Sequence, residues 1–163
     1  MKKVILAIAL ALICGSFASM AQDSNVGVAQ TTSNDYVDFF FNGYNFKIPQ
    51  GLPVNMENNE ATVRNSDGTF GISIKSEKDT KASAAGAYEI CKRTVTDLHL
   101  GDAKLSKVNI YGLEGARVTG NLEGMHVAVE ILDTGKRYMK IVTIYTDAHT
   151  ADAETLLSEI TKG

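Results

Sequence analysis

"YGLEGARVTGNLEGMH", Tyr111 to His126, holds four glycines and the tripeptide LEG twice. Two folds are at stake in it. Glycines between a strand and a helix make a phosphate loop, where backbone N–H groups and the helix dipole meet an anion, and they imply a parallel α/β fold. Glycines between two strands are hairpin punctuation and imply an antiparallel sheet. Here strand patterns lie on both sides: KVNIY and ARVTG around the first LEG, HVAVEIL and YMKIVTIY beyond the second. No helical period begins nearby, and no Gly-Lys-Ser/Thr follows. The stretch reads as turns in a four-stranded antiparallel meander from Lys104 to Tyr145, broken at GLEG, NLEG and DTGK.

Requiring apolar side chains to share a face sets a register for this meander. Val108 faces Val118, Val118 faces Val127, Val129 faces Ile141, and Ile131 faces Met139. The same register puts Glu130 opposite Lys140 and Asp133 opposite Arg137, both favourable cross-strand pairs. One face is then nearly all apolar and takes a helix. The other is mixed, with Asn109, Arg117, Thr119, His126 and Glu130 on one part and Val142 and Ile144 on the last strand.

Upstream, YVDFFFNGYNFKIP contains Asn42-Gly43, the pair that a type I′ hairpin turn needs, since both central residues take positive φ. Pairing across it sets Phe41 against Tyr44, Phe39 against Phe46 and Val37 against Ile48 on one face, and Asp38 against Lys47 on the other. GLPVNMENNE reads as a loop. ATVRNSDGTFGISIK reads as a second hairpin turning at Ser66-Asp67-Gly68, with Phe70, Ile72 and Ile74 on one face. The charged loop SEKDTK leads to a long helix, Ala82 to about Leu98, whose stripe of Ala84, Tyr88, Cys91, Val95 and Leu98 has the core-facing period. A last helix begins near Thr150, with Asp152 and Glu154 in its first turn and Ala153, Leu156, Leu157 and Ile160 on its apolar side. It is expected to cover Val142 and Ile144. The fold class is α+β: an α/β/α sandwich with a mostly antiparallel sheet, built from N-terminal hairpins, a long helix, a four-stranded meander and a C-terminal helix.

The first residues, MKKVILAIALALICGSFASMAQ, place two lysines before an apolar run and end in Ser19-Met20-Ala21, the small-x-small pattern of a cleavage site. Residues 1–21 read as a secretory signal peptide, too short and wrongly flanked for a membrane span. Ile13 stands where a lipoprotein signal needs a small side chain, so Cys14 does not read as lipidated. Residues 22–34 are polar and without period, a flexible linker, and 35–163 form a single domain large enough for its own core. The formal charge of −3 across 163 residues becomes more negative once Lys2 and Lys3 are removed. No basic patch remains, so nucleic acid is not an expected partner, and no second apolar run could cross a bilayer. Cys91, left alone after cleavage, cannot form an internal disulfide.

The segments YNFKIPQGLPV, NIYGLEGARVTG and YMKIVTIYT, followed by the closing helix, resemble the PsbP-like fold over roughly Tyr36 to Lys162. The resemblance implies the α/β/α sandwich already described. It extends to photosystem-associated proteins, Ran-binding relatives and small bacterial exported proteins of unknown role, and it carries no functional residue onto this chain.

Each candidate for chemistry has a plainer structural reading. Cys91 could be a nucleophile, but its place on the apolar stripe makes it an inert core thiol. His99, His126 and His149 lack metal-ligand spacing. His99 follows a helix end, where an imidazolium can meet terminal carbonyls, and His149 sits in the turn before the last helix. NMENNE offers oxygen ligands without the glycine and distal glutamate of a calcium loop. No GxSxG marks a serine nucleophile, and Glu114 and Glu123 are both turn residues that nothing brings together for glycoside chemistry. No catalytic residue, metal or cofactor is therefore assigned. The expectation is an exported, periplasmic or secreted, cell-envelope domain that binds a protein or small ligand without catalysis, through Asn109, Arg117, Thr119, His126 and Glu130; a solvated ion-pair ladder is the plain alternative for that face. A small cofactor-free hydrolase is the second reading, and an interaction domain acting through its edge strands the third.

Overall fold

A computed structural model describes residues 28–29, 36–79, 81–110, 112–135 and 137–162. The expected signal peptide lies outside them, as does most of the expected linker. Within that linker, however, β1 (Val28–Ala29) pairs with β2 (Tyr36–Phe41), so part of the segment joins a sheet.

β2 and β3 (Tyr44–Pro49) form the Asn42-Gly43 hairpin in the expected register, Phe39 against Phe46 and Val37 against Ile48. Asn42 and Gly43 take φ of 50° and 86°, as the turn demands. On the outer face Lys47 Nζ meets Asp38 Oδ1 at 2.6 Å. On the inner face Phe39, Phe41, Phe46 and Ile48 are buried. A final short strand, β11 (Thr161–Lys162), completes a four-stranded sheet against β3.

The expected loop after Pro49 is in part a strand. β4 (Val54–Glu57) and β5 (Glu60–Arg64) close around Asn58-Asn59, with Asn58 at φ 52°. Asparagine tolerates that left-handed conformation, and Val54 and Met56 alternate inward against the core, so NMENNE is a hairpin rather than an ion-binding loop. β6 (Phe70–Lys78) also runs on through the first half of the expected charged loop, because β10 (Arg137–Tyr145) pairs with it along its whole length.

The long helix, α1 (Ala84–Leu98), starts two residues later than expected. The Ser83 side chain caps it by accepting from the Gly86 N–H at 3.1 Å. His99 ends it in the left-handed conformation, φ 54°, and the Leu100 N–H reaches back to the Val95 carbonyl at 3.2 Å. It is therefore the His99 backbone, in a left-handed cap, that closes the helix. Ala87 and Cys91 are its fully buried residues, with Tyr88, Val95 and Leu98 beside them.

The meander is present as β7 (Gly101–Ile110), β8 (Leu113–Leu122), β9 (Met125–Asp133) and β10, but its register differs from the expected one. The turns are tighter than GLEG and NLEG suggest. Leu122 pairs with Met125 around Glu123-Gly124, whose φ values are 49° and 81°, and Ile110 pairs with Leu113 around Gly112 at φ 84°. Val108 thus faces Gly115, Val118 faces Leu105 and Val129, and Glu130 faces Arg117 and Ile141. Lys140 pairs with Ile131, and Asp133 with Tyr138. The slip of one residue between β9 and β10 changes faces: Val142 and Ile144 pack under α1, while Met139 and Ile141 face the other layer.

The main sheet has seven antiparallel strands in the order β4-β5-β6-β10-β9-β8-β7. α1 covers one face over β8 and β9. The opposite face is covered by the four-stranded sheet together with α2 (Thr150–Ser158), whose Ala153, Leu156 and Leu157 are buried with the phenylalanines of the hairpin. The molecule is an α+β sandwich in which a second small sheet shares a layer with the last helix.

Candidate functional site

Four of the five expected face residues, Arg117, Thr119, His126 and Glu130, share the side of the main sheet that meets α2. Asn109 does not. It pairs with Glu114, an odd number of residues from Arg117, and so lies on the α1 side of β7. Its Oδ1 accepts from the Gly112 N–H at 3.0 Å and thereby holds the turn.

The four do not form one cluster. His126 sits four residues from Glu130, roughly 13 Å along β9 at the usual rise per residue. Its Nδ1 meets Asn121 Oδ1 at 3.0 Å and its Nε2 meets Asp147 Oδ1 at 2.5 Å, with the ring 5.2 Å from that of Tyr145. Asn121 in turn donates to Asp102 Oδ2 at 3.2 Å. Both ring nitrogens are engaged, so His126 ties β9 to the turn after β10. Thr119 is half-buried between Lys104 and Ala128.

Arg117 and Glu130 are brought together, side by side on β8 and β9. Arg117 Nε and Nη2 both contact a single oxygen of the carboxylate, Oε1, and Nη2 also donates to the Leu157 carbonyl at 3.2 Å. Glu130 is wholly buried, and its Oε2 has no hydrogen-bond partner among the described residues. Burial pushes this carboxyl up to about 7, against the opposing pull of the Arg117 charge and its hydrogen bond. The Arg117 side chain remains 31 % exposed, where it lines an open cleft of about 440 Å³ together with Val108, Asn109, Ile110, Leu157 and Ser158. The cleft lies between the last turn of α2 and the edge strand β7. Its walls mix the apolar Val108, Ile110 and Leu157 with Asn109 and Ser158, and its one charged lining group is the Arg117 guanidinium.

Leu157, Ser158, Val108 and Ile110 are the site residues that sequence reasoning misses. Leu157 is legible only as part of an apolar helical stripe. Nothing local says that the stripe ends beside Arg117.

A second polar cluster joins the start of β6 to α2. Thr69 Oγ1 lies 3.2 Å from His149 Nε2, His149 Nδ1 lies 2.7 Å from Asp152 Oδ2, and the Tyr36 hydroxyl donates to Asp152 Oδ1 at 3.0 Å. The line of hydroxyl, imidazole and carboxylate has the outline of a nucleophile–base–acid relay. The hydrogen bonding assigns it otherwise. The one proton of Thr69 Oγ1 goes to Asp67 Oδ1 at 2.7 Å, and the oxygen accepts from Asn65 Nδ2 at 2.8 Å. His149 Nε2 therefore does not take the Thr69 proton, and the cluster works as a clasp between a turn and a helix.

Cys91 is fully buried beneath α1, its thiol donating to the Ala116 carbonyl at 3.4 Å, and burial pushes it up to about 12. It is an inert core thiol. Among the described residues no group of three or more His, Cys, Asp or Glu side chains is placed to hold a metal ion. No helix among them is long and apolar enough to cross a membrane.

No family model and no curated protein matches the chain. Solved structures do. The solution structure of cyanobacterial PsbP (CyanoP) from Synechocystis sp. PCC 6803 superposes with a TM-score of 0.56 at 12% identity, covering 86% of this chain and 98% of that one. A protein from Bacteroides thetaiotaomicron has a TM-score of 0.49 at 14% identity, covering 74% of this chain and 45% of that one. The fold is PsbP-like. At such identities the likeness speaks to fold alone.

Proposed function

We propose that this chain is an exported cell-envelope domain that binds its partner or ligand without catalysis, and that the ligand seat is the cleft between β7 and the end of α2. Export is supported by the basic, then apolar, then small-residue pattern of residues 1–21. The observation that carries the binding reading is Arg117: a guanidinium fixed by Glu130 and the Leu157 carbonyl, one third exposed, in an open concave surface walled in part by Val108, Ile110 and Leu157. A preformed cleft with few convergent polar groups is the usual form of a small-molecule site. The alternative, a cofactor-free hydrolase, draws only on the Thr69–His149–Asp152 line, and the route of the Thr69 proton argues against it.

Photocrosslinking in the native envelope tests the proposal. A photoreactive residue at Ser158, on the cleft rim, should give one dominant adduct that disappears in R117Q. The same residue at Glu89, on the exposed side of α1, should give none. Equal labelling at both positions, or none at Ser158, would sink the reading.

A further inference from the structure

We infer that the cleft takes an organic carboxylate with a short apolar tail, and that capturing it loads a proton onto Glu130 Oε2. This rests on the cleft being the ligand seat. The geometry separates the two functions of the ion pair. Arg117 is held through Glu130 Oε1 and the Leu157 carbonyl, contacts that do not use Oε2. Its Nη1 has no acceptor among the described residues, which leaves two N–H donors on a side chain that lines the cleft. Val108, Ile110 and Leu157 give the tail its wall, and about 440 Å³ is at the small end of ligand sites.

Charge decides which form binds. With Glu130 ionised, the pair is neutral and the helix C-terminus adds partial negative charge, so an anion gains little. With Oε2 protonated, the full Arg117 charge is uncompensated beside the cleft. An anion at Nη1 and a proton at Oε2 therefore favour one another, and each raises the affinity for the other equally. Among the described residues the other titratable groups around the pair are Tyr145 on β10, Glu154 on α2, Cys91 on α1, whose thiol feels the Glu130 charge, and His126 further along β9; burial pushes Tyr145 up, the Glu154 charge adding to this and Arg117 opposing it. Lys75 and Lys140 lie on the opposite face of the sheet, and the β6 residue in line with Glu130 is Ile74.

Octanoate, ionised throughout the range, is the probe, and calorimetric titration the measurement. The carboxyl of Glu130 titrates near 7, so octanoate should bind about tenfold more tightly at about pH 6 than at about pH 8, with uptake of about one proton per ligand at the higher pH. E130Q should bind at both pH values with the affinity of the natural protein at about pH 6. H126Q should keep the natural pH dependence, and R117Q should lose binding throughout. Equal affinity at both pH values, or a dependence removed by H126Q and not by E130Q, overturns the coupling while the cleft stays a ligand seat. No octanoate binding at either pH overturns the carboxylate class; if the Ser158 crosslink persists in that case, the proposed function survives without it.

Discussion

Arg117 places both Nε and Nη2 on one oxygen of Glu130 and leaves the other, Oε2, buried without a partner among the described residues. A fork-to-fork pair would use both oxygens and satisfy both charges. The arrangement found here is half-satisfied, and a half-satisfied buried pair is a poor device for stability. Its merit is that it holds a guanidinium rigidly while keeping a site for a proton.

The first prediction follows from the sign of the Glu130 shift. Its carboxyl is raised from 4.5 in an exposed setting to about 7 in the fold. Below the lower value both states are protonated and the contribution to stability is intact. Between the two values the unfolded chain ionises while the folded one does not, so stability falls as pH rises, and above about 7 the loss is complete. The total is on the order of 3 kcal/mol. E130Q should remove this slope. Urea melts of the natural protein and E130Q from about pH 4 to about pH 8 would show it, and parallel curves would refute it.

The second concerns the other partner. R117M leaves Glu130 buried without its counter-charge, which costs about 3–5 kcal/mol when the carboxylate is ionised. At about pH 5 the cost should shrink, because Glu130 then holds a proton. Converting both, R117M with E130L, should recover most of the loss by making the pair apolar. Should the double variant be as unstable as R117M alone at about pH 8, unpaired charge is not the cause.

What the sequence discloses and what it hides have physical reasons. The first hairpin is legible because Asn42-Gly43 allows one turn type, and the turn fixes every pair beyond it. The meander is legible as strands and helix-facing residues but not in register. Glu123 supplies a positive φ where no asparagine announces it, and Leu113 to Gly115 read as loop although they are strand. Apolar residues on both faces of β9 and β10 leave the alternation nearly symmetric, so a slip of one looks as good as the true pairing. That slip exchanges Lys140 for Ile141 as the β10 neighbour of Glu130, and a shift of two residues between β8 and β9 brings Arg117 beside it on the other flank. The cleft depends on how near the end of α2 comes to β7, a placement of distant segments that no local pattern encodes.

Cys91 supplies the third prediction. With its thiol buried and pushed up to about 12, native protein should resist iodoacetamide, and labelling should occur only as fast as the molecule opens. C91A should cost about 1 kcal/mol for the small void beneath α1 and leave octanoate binding unchanged. Fast labelling without denaturant would show that α1 does not cover β8 and β9 as described.

The last prediction returns to the glycine-rich stretch. Two of its four glycines, Gly112 and Gly124, are punctuation at positive φ with open space around the missing Cβ. Gly115 is different. It lies within β8 opposite Leu132, and a Cβ there would stand 2.1 Å from the Ile131 carbonyl oxygen and 3.0 Å from the Leu132 Cα, all backbone that cannot rotate away. G112A should cost about 1–2 kcal/mol, the strain of a left-handed residue with a side chain. G115A should cost about 3 kcal/mol, because accommodating the methyl group forces β8 and β9 apart. Gly115 is two residues from Arg117 on the same strand, so the same displacement moves the guanidinium from Glu130 Oε1. G115A, where still folded, should therefore also weaken octanoate binding, while G112A should not. The reverse order of stabilities in denaturant titrations would mean that β8 and β9 are not paired as found, and the Arg117–Glu130 site would fall with that pairing.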